Sequence, residues 1–435
     1  MVTLIKNGYV VDPASGREGK LDLLIENVVI RSIRQSITQQ EAAATAAGDA
    51  LEVIDATGKY IFPGFIDLHV HLREPGFEYK ETIRTGSLAA AAGGYTSICP
   101  MPNTKPAVDS PAIIRWLKDK AGQEAIVNIL PIGAVTVGQE GRELCDIREM
   151  AKAGAIAISE DGKSVPDTAL YAEGMRQAAV CGIPVFAHCE DKSLAGNGVI
   201  NAGAKAKELK LPMICNAVED IIAARDILLA KATGARLHLC HCSTMDSVKM
   251  IALAKEEGLP VTGEVCPHHF TLADTDIPAD DADYKMNPPL RSPADVQAIK
   301  EALREGVIDV ISTDHAPHSE KEKAKSMAEA PFGIVGLETA FALAVTELVK
   351  PGILSISELI RKMSVNPAKL IGIKRGCIGE GWTADLVIAD LDEEYIIDKN
   401  KFFSKGRNTP FHGRKVSGRV LYTFVSGEKA YEYRS

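Results

Sequence analysis

His69 and His71 stand two residues apart in the run Phe62-Pro-Gly-Phe-Ile-Asp-Leu-His-Val-His71, just beyond the turn signal Pro63-Gly64. On a strand, side chains two apart share a face, so the two imidazoles would point the same way. Side by side they make half of a divalent-metal site, provided other ligands arrive from elsewhere in the chain. Alone the pair is weak evidence, because an ordinary alternating strand produces it too. The remaining metal-ligand residue types strengthen it. Glu160-Asp161, His188, His241 and Asp314 each stand at the end of a short apolar run. Imidazoles and carboxylates in that mixture suit one or two divalent ions of zinc type, with a carboxylate able to bridge them.

Something must carry these side chains to one rim, and the order of the apolar runs indicates what does. From about residue 60, runs at 66–71, 97–100, 127–132, 155–160, 184–188, 236–241, 260–264 and 309–313 recur along the chain. Helix-like segments at 111–121, 144–153, 168–180, 218–232, 247–257 and 294–305 lie between them. Eight strands alternating with helices predict an α/β fold, a (β/α)8 barrel of the TIM type with strands buried on both faces. Each run ends in a polar or turn residue at the barrel's C-terminal rim, where such barrels keep their active sites.

The chain ends have a different texture. Residues 1–57 carry short β-type runs separated by Gly, Asn and Asp, and β-type runs return beyond about 372. Each end alone is short of core, so the simplest arrangement joins them. A small β-sandwich domain of residues 1–57 plus 372–435 is expected beside a catalytic barrel of residues 58–371. The alanine-rich stretch 39–48 reads as a surface excursion without chemistry.

Of the 435 residues, 46% are hydrophobic and 25% charged, ordinary values for a soluble chain with a large core. A net charge of −9 and a pI near 5.7 argue against nucleic-acid or anionic-membrane partners. The first residues hold no long apolar segment and no later run approaches a membrane span, so a cytoplasmic location is expected. Nine cysteines without a Cys-x-x-Cys pair read as buried, reduced thiols. In Cys240-His241-Cys242, alternation would turn the thiols away from the face of His241.

Other polar residues invite quieter readings. His238 alternates away from the rim if His241 ends its strand, so a core or supporting role is expected. His268 and His269, in Cys-Pro-His-His-Phe, could orient ligands or simply shape a loop. Asp67 would hydrogen-bond beneath the site, and His412 reads as structural. The charged segment 319–330 reads as a solvated loop, with a lid over the site as the lesser reading.

Taken together, the motifs resemble the amidohydrolase superfamily and, within it, the dihydroorotase family of the type I, bacterial-like class. The stretches that carry the resemblance are Asp67-Leu-His-Val-His-Leu-Arg73-Glu-Pro-Gly, Met101-Pro-Asn103-Thr, Asp161-Gly, Ala187-His188-Cys-Glu-Asp, His241-Cys-Ser-Thr, Met286-Asn287-Pro-Pro-Leu-Arg291, Thr313-Asp314-His-Ala-Pro-His318 and Pro331-Phe332-Gly333. They occur in family order along nearly the whole chain. The resemblance implies that His69, His71, Asp161, His188, His241 and Asp314 hold one or two zinc ions per subunit, two being expected. Related hydantoinases bridge two ions with a carboxylated lysine after the fourth strand. Here that strand ends in Ser159-Glu160-Asp161, with no lysine at that point and Lys163 a weaker candidate. Asp161 takes the bridge in the type I pattern. Family members often carry Asp-Asp at this point, so Glu160 stays open as the carboxylate that reaches the metal.

The reaction implied is the reversible cyclisation of N-carbamoyl-L-aspartate to L-dihydroorotate, a step of de novo pyrimidine biosynthesis. Metal-activated hydroxide would attack the ring amide, with Asp314 as general base and then acid. Arg73 offers a planar fork for the free α-carboxylate, and Asn103 can add a hydrogen bond. The family match adds His71, Asn287, His318 and the backbone of Phe332-Gly333 to the substrate pocket, with Arg291 as a lesser support. A homo-oligomer, a dimer, is expected, with association with aspartate transcarbamoylase as a further partner. Two alternatives remain at this stage. Another cyclic amidase, such as a hydantoinase, dihydropyrimidinase or allantoinase, would not need the Arg73 and Asn103 pocket. A non-catalytic dihydroorotase-like scaffold would be expected to have lost ligands, and none is missing here.

Overall fold

A computed structural model describes residues 2–47 and 50–434. Eight parallel strands line the barrel: β1 (Phe65–Val70), β2 (Tyr95–Pro100), β3 (Asn128–Ile129, resumed at Ile132–Ala134), β4 (Ala157–Ser159), β5 (Val185–Ala187), β6 (Leu237–Leu239), β7 (Val261–Val265) and β8 (Val310–Ile311). Each pairs with its successor. Pro131 interrupts β3, since proline has no N–H to give to the ladder. The ring closes where Val70 bridges His315 and the His71 N–H donates to the His315 carbonyl at 2.8 Å. Ile66, Leu68, Cys99, Ile132, Ala157, Phe186, Cys240 and Val310 form one buried cluster. Residues from seven strands can meet in that way only inside the barrel.

The helices between strands begin where short polar side chains can satisfy free N–H groups. Thr82, Asp146, Asp167, Thr244 and Ser292 each accept from the first turn of the helix that follows. The helix Ile83–Ala92 escapes the sequence pattern because Gly86, Ser87 and Ala89–Ala91 are all buried, leaving no contrast between an apolar and a polar face. Among the described residues, no helix is long and apolar enough to cross a membrane.

Both chain ends contribute to a single eight-stranded sheet. Tyr60–Pro63 joins them, pairing in parallel with Val2–Asp12 and antiparallel with Leu386–Ile396. Ile5, Leu23, Ile30, Ile54, Ile61, Ile388 and Phe424 share one core, so the sheet folds over its own apolar face. The alanine-rich stretch is not a mere excursion. It forms the helix Gln39–Ala46, capped reciprocally by Thr38 and Glu41, and buries Ala42 and Ala46 against Val2, Leu4 and Leu24. Its last residue, Gly48, lies outside the described residues.

Candidate metal centre

Six side chains from five strand ends converge at the C-terminal rim. His69 Nε2 lies 3.1 Å from Asp161 Oδ1 and 3.6 Å from Asp314 Oδ1. His71 Nε2 lies 3.1 Å from Asp314 Oδ1 and 3.6 Å from Asp161 Oδ2. His188 Nδ1 is 3.6 Å from Asp161 Oδ1 and 2.9 Å from His241 Nε2. All six side chains are buried. Arg73, His241 and Asp314 adopt φ values of 61°, 34° and 48°, left-handed conformations that a non-glycine residue keeps only where the surroundings impose them.

The outer nitrogens set the direction of the inner ones. His69 Nδ1–H donates to Glu264 at 3.0 Å, His71 Nδ1–H to Asn103 Oδ1 at 2.9 Å, and His188 Nε2–H to Glu190 at 3.0 Å. The opposite nitrogen of each ring therefore turns its lone pair toward the centre. His69 Nε2 and Asp161 Oδ1 are buried with no hydrogen-bond partner, although they face each other. Lone pairs this close repel unless a cation or proton stands between them. The donor set fits a divalent metal, with nitrogen and carboxylate ligands and each histidine oriented from behind.

Electrostatics agree. Burial alone would raise Asp314, but the imidazoles of His71, His69 and His241 beside it hold it well below the usual carboxylate range. Asp161 is likewise depressed, with His69 and His188 outweighing burial. Burial opposes charge on His188, yet Asp161 and Glu190 raise it to about 9. Burial, with the charges of His188 and His69, lowers His241 to about 3.

The two candidate carboxylates of β4 part company. Glu160 turns away and accepts from the Val135 and Thr136 backbone N–H groups, both at 3.1 Å, and from the Thr136 hydroxyl. Asp161 alone faces the imidazoles. Lys163 donates to the Gln139 carbonyl at 2.8 Å, away from the centre. Cys240 does not face wholly away, for its sulfur and ligand atoms of His69 and Glu264 lie within 4.8 Å of one another. All nine cysteines are free thiols, six of them buried.

Beside the cluster opens a cavity of about 190 Å³ that His71, Arg73, Asn103, Asn287, His318, Phe332 and Gly333 line, together with the metal-ligand types and Lys192. Arg73 Nε donates to the Pro317 carbonyl at 3.2 Å. Asn103 does more than face the cavity: its Nδ2 donates to Asp161 Oδ2 at 3.0 Å, so it braces two members of the cluster. Gly333 has φ 127°, and a Cβ there would stand 2.7 Å from that of Ala316. Only glycine allows the 332–333 backbone so near the site. A larger cavity of about 680 Å³ lies by Glu338, Arg419 and Tyr431 and holds none of the sequence-predicted residues.

The comparisons with known proteins point one way. A family model described as Dihydro-orotase-like matches residues 58–247. The dihydroorotase of Caldanaerobacter subterraneus subsp. tengcongensis is 46% identical over 432 residues, 99% of this chain and 98% of its own. That of Acetivibrio thermocellus is 47% identical over 424 residues, 98% of this chain and 97% of its own. The chain belongs to the dihydroorotase family.

Among solved structures, the L-hydantoinase (dihydropyrimidinase) of Arthrobacter aurescens superposes with a TM-score of 0.85 at 28% identity, covering 99% of this chain and 96% of its own. The dihydropyrimidinase of Brevibacillus agri gives 0.83 at 26%, covering 99% and 95%. The fold is thus that of the amidohydrolase barrels, and the chain is a metal-dependent cyclic amide hydrolase.

Several residues that support this dihydroorotase-family site were not singled out from the sequence. Glu264 is wholly buried, accepts from His69 and from the Ser312 hydroxyl, and lies 3.1 Å from His238 Nε2. Its signal was an acidic residue inside the apolar run of β7, where a charge persists only with partners. Glu190, two residues past His188, is held to about 2 by His188 and Lys192 against its burial. Asn408 accepts from the His318 N–H at 3.1 Å and donates to the Ala316 and Gly333 carbonyls, both at 3.0 Å. Nothing local in the sequence marks that reach across 75 or more residues.

The quieter readings resolve individually. His238 lies under the cluster, hydrogen-bonded to Thr262 at 2.9 Å with its Nε2 3.1 Å from Glu264. Asp67 accepts from the His69 and Thr313 N–H groups and ties β1 to the end of β8. Arg291 points into a buried network with Ser243 and Asn201, bracing the turn after His241 and away from the cavity. His269 bonds the Pro288 carbonyl at 3.0 Å and packs beside His268. His412 is exposed and accepts from the Lys399 N–H in a turn. The segment 319–330 is not loose. Lys323 donates to the Lys285, Pro331 and Gly333 carbonyls, and Lys285 to those of Met327 and Ala330.

Proposed function

We propose that this chain catalyses the reversible cyclisation of N-carbamoyl-L-aspartate to L-dihydroorotate. One observation carries the choice over its ring-opening relatives. Arg73 and His318 stand on the wall of the cavity that the metal-ligand cluster floors, a cationic fork beside an imidazole within reach of one small molecule. A ring bearing a free carboxylate needs such a fork, whereas a neutral hydantoin or dihydrouracil does not.

In this reading His69, His71, Asp161, His188, His241 and Asp314 would hold the metal. When bound, the metal supplies Lewis-acid activation of water and of the scissile carbonyl. The side chains do the rest. Asp314, kept ionised by His71 and its neighbours, is ready to accept a proton at Oδ1 from the attacking water. It returns that proton to the departing ring nitrogen, and in ring closure it takes the proton from the carbamoyl nitrogen. Arg73 fixes the α-carboxylate, so the ring can present only one carbonyl to Asp314. Asn103 holds His71 and Asp161 in register while facing the substrate. Asn287, His318 and the Phe332-Gly333 backbone complete the pocket.

Four imidazoles favour zinc over magnesium or calcium, and a shared Asp161 supports two ions. A division of labour accompanies the proposal: a catalytic barrel supported by a β domain from both chain ends, whose sheet includes Tyr60–Pro63 and so extends past the expected boundary at residue 57. The same reading carries a cytoplasmic homo-oligomer. The test is turnover of dihydroorotate, followed by ultraviolet absorbance, beside hydantoin, dihydrouracil and allantoin, with zinc-loaded protein. Turnover of dihydroorotate alone, abolished in Asp314→Ala and with KM raised in Arg73→Met, is expected. Preference for a ring without a carboxylate would refute the reading.

A further inference from the structure

On the carboxylate side of the cavity, Lys80 Nζ lies 3.2 Å from His318 Nδ1 and 2.9 Å from Glu322 Oε1. An ammonium group has only hydrogens to offer, so Nδ1 must accept and the imidazole proton must sit on Nε2. The other end of the ring gives the same answer independently. Nε2 lies 2.8 Å from the Phe332 carbonyl oxygen, which can only accept. Arg73 Nη2 stands 3.3 Å from that Nε2. Both atoms then carry hydrogens, so they do not bond each other. The Nε2 hydrogen is taken by the Phe332 carbonyl, so the Arg73 Nη2 hydrogens remain unclaimed by the ring and can meet a carboxylate on the cavity wall.

We propose that Lys80 is a positioning residue that fixes the tautomer of His318: with Nε2–H given to the Phe332 carbonyl, the ring cannot accept from Arg73, whose guanidinium hydrogens stay free to grip the substrate's α-carboxylate. The inference rests on the proposed function for its substrate, and it assigns Lys80 and Glu322 a part that motif matching did not.

The groups around His318 show what Lys80 prevents. Glu322 Oε2 is 3.9 Å from Nδ1, a carboxylate waiting for a proton there. The Lys323 ammonium is already engaged by three carbonyls and cannot replace Lys80. Without Lys80, a proton on Nδ1 would turn to Glu322, and Nε2 would present a lone pair to the Phe332 carbonyl and accept from Arg73 Nη2. The guanidinium would be drawn to the ring and its grip on the carboxylate weakened, while the metal cluster stayed untouched. Glu322 also accepts from the Tyr79 hydroxyl at 3.2 Å, so Lys80 is held in place from the loop that follows β1.

The experiment uses the full-length, metal-loaded enzyme and three variants: Lys80→Met, Lys80→Arg and Lys80→Met/Glu322→Gln. In Lys80→Met, KM for dihydroorotate is expected to rise roughly 10- to 100-fold with kcat within about threefold, as for loss of a charged hydrogen bond made equally in ground and transition states. Metal content should not change. Lys80→Arg should restore KM, and adding Glu322→Gln should recover part of it. A second readout is the ¹⁵N spectrum of histidine-labelled protein, with His318 identified by its loss in His318→Gln. Wild type should show Nδ1 unprotonated and Nε2 protonated, and Lys80→Met the reverse. A wild-type proton on Nδ1, or an unchanged KM in Lys80→Met, would overturn the proposal. Wild-type silence on dihydroorotate would sink the proposed function instead, and the tautomer measurement would still decide the role of Lys80.

Discussion

Replacing Glu264 by glutamine should weaken metal binding without unfolding the protein. The carboxylate is wholly buried; it accepts from His69 Nδ1 at 3.0 Å and from the Ser312 hydroxyl, and lies 3.1 Å from His238 Nε2. Alanine would strand two buried donors at about 1–3 kcal/mol each and remove the charge beside His238, a sizeable share of the roughly 5–15 kcal/mol that holds a domain together. Glutamine avoids that. Its oxygen can keep the His69 N–H, its amide can donate to the Ser312 hydroxyl, and His238 can move its proton to Nδ1, where Thr262 Oγ1 accepts. What is lost is the negative charge behind His69. A charge-assisted bond is about twice as strong as a neutral one, so about 1–1.5 kcal/mol disappears from the ring that must present Nε2 to the metal. That corresponds to roughly tenfold weaker metal binding, within the range for ligands deprived of their supporting carboxylate. Competition with a chromophoric chelator measures it, with a melting curve as the control for folding. Wild-type metal affinity and unchanged kcat/KM in a correctly folded Glu264→Gln would refute the idea that this carboxylate tunes the centre.

Three further outcomes are expected. Glu160→Gln should leave metal stoichiometry unchanged and lower Tm by about 2–4 °C, the cost of weakening bonds to Val135 and Thr136, whereas Asp161→Asn should lose metal. Stability of the metal-free protein should fall with rising pH. His188 is raised to about 9 by Asp161 and Glu190 despite its burial, so its protonation stabilises the fold fully below about 6.5, and this is lost as pH climbs through 9. Denaturant titrations from pH 6 to 9.5 should show that slope, and the metal-loaded protein, whose His188 is deprotonated throughout, should not. Hydrogen exchange over residues 326–330 should be equally slow with and without substrate, because Lys285 and Lys323 fasten that backbone. Protection gained only on adding substrate would restore the lid.

The residues fall into two kinds according to what made them readable. His69, His71, His188, His241 and Asp314 could be found from the chain alone because a barrel strand ends at a fixed rim. A ligand type at the end of each apolar run therefore predicts convergence. Arg73, two residues past His71, shares that logic. The eight runs were legible because strands buried on both faces must be continuously apolar. The helix Ile83–Ala92 and the terminal helix Gln39–Ala46 were not, since alanine and glycine give no contrast between faces.

The tertiary structure decided the rest. Glu160 and Asp161 are neighbours of the same chemical type, and only the position of Thr136 and Val135 shows which one is drawn away from the imidazoles. Glu264 carries no motif of its own, because its role is defined by rings arriving from β1 and β6. Lys80 and Asn408 reach the site over separations of 238 and 75 residues. The sequence by itself determined which side chains could do chemistry and on which rim they would meet. Tautomers, lone-pair directions and the choice between two adjacent carboxylates depend on hydrogen bonds a few ångströms long between distant segments, and such bonds exist only once the barrel has closed.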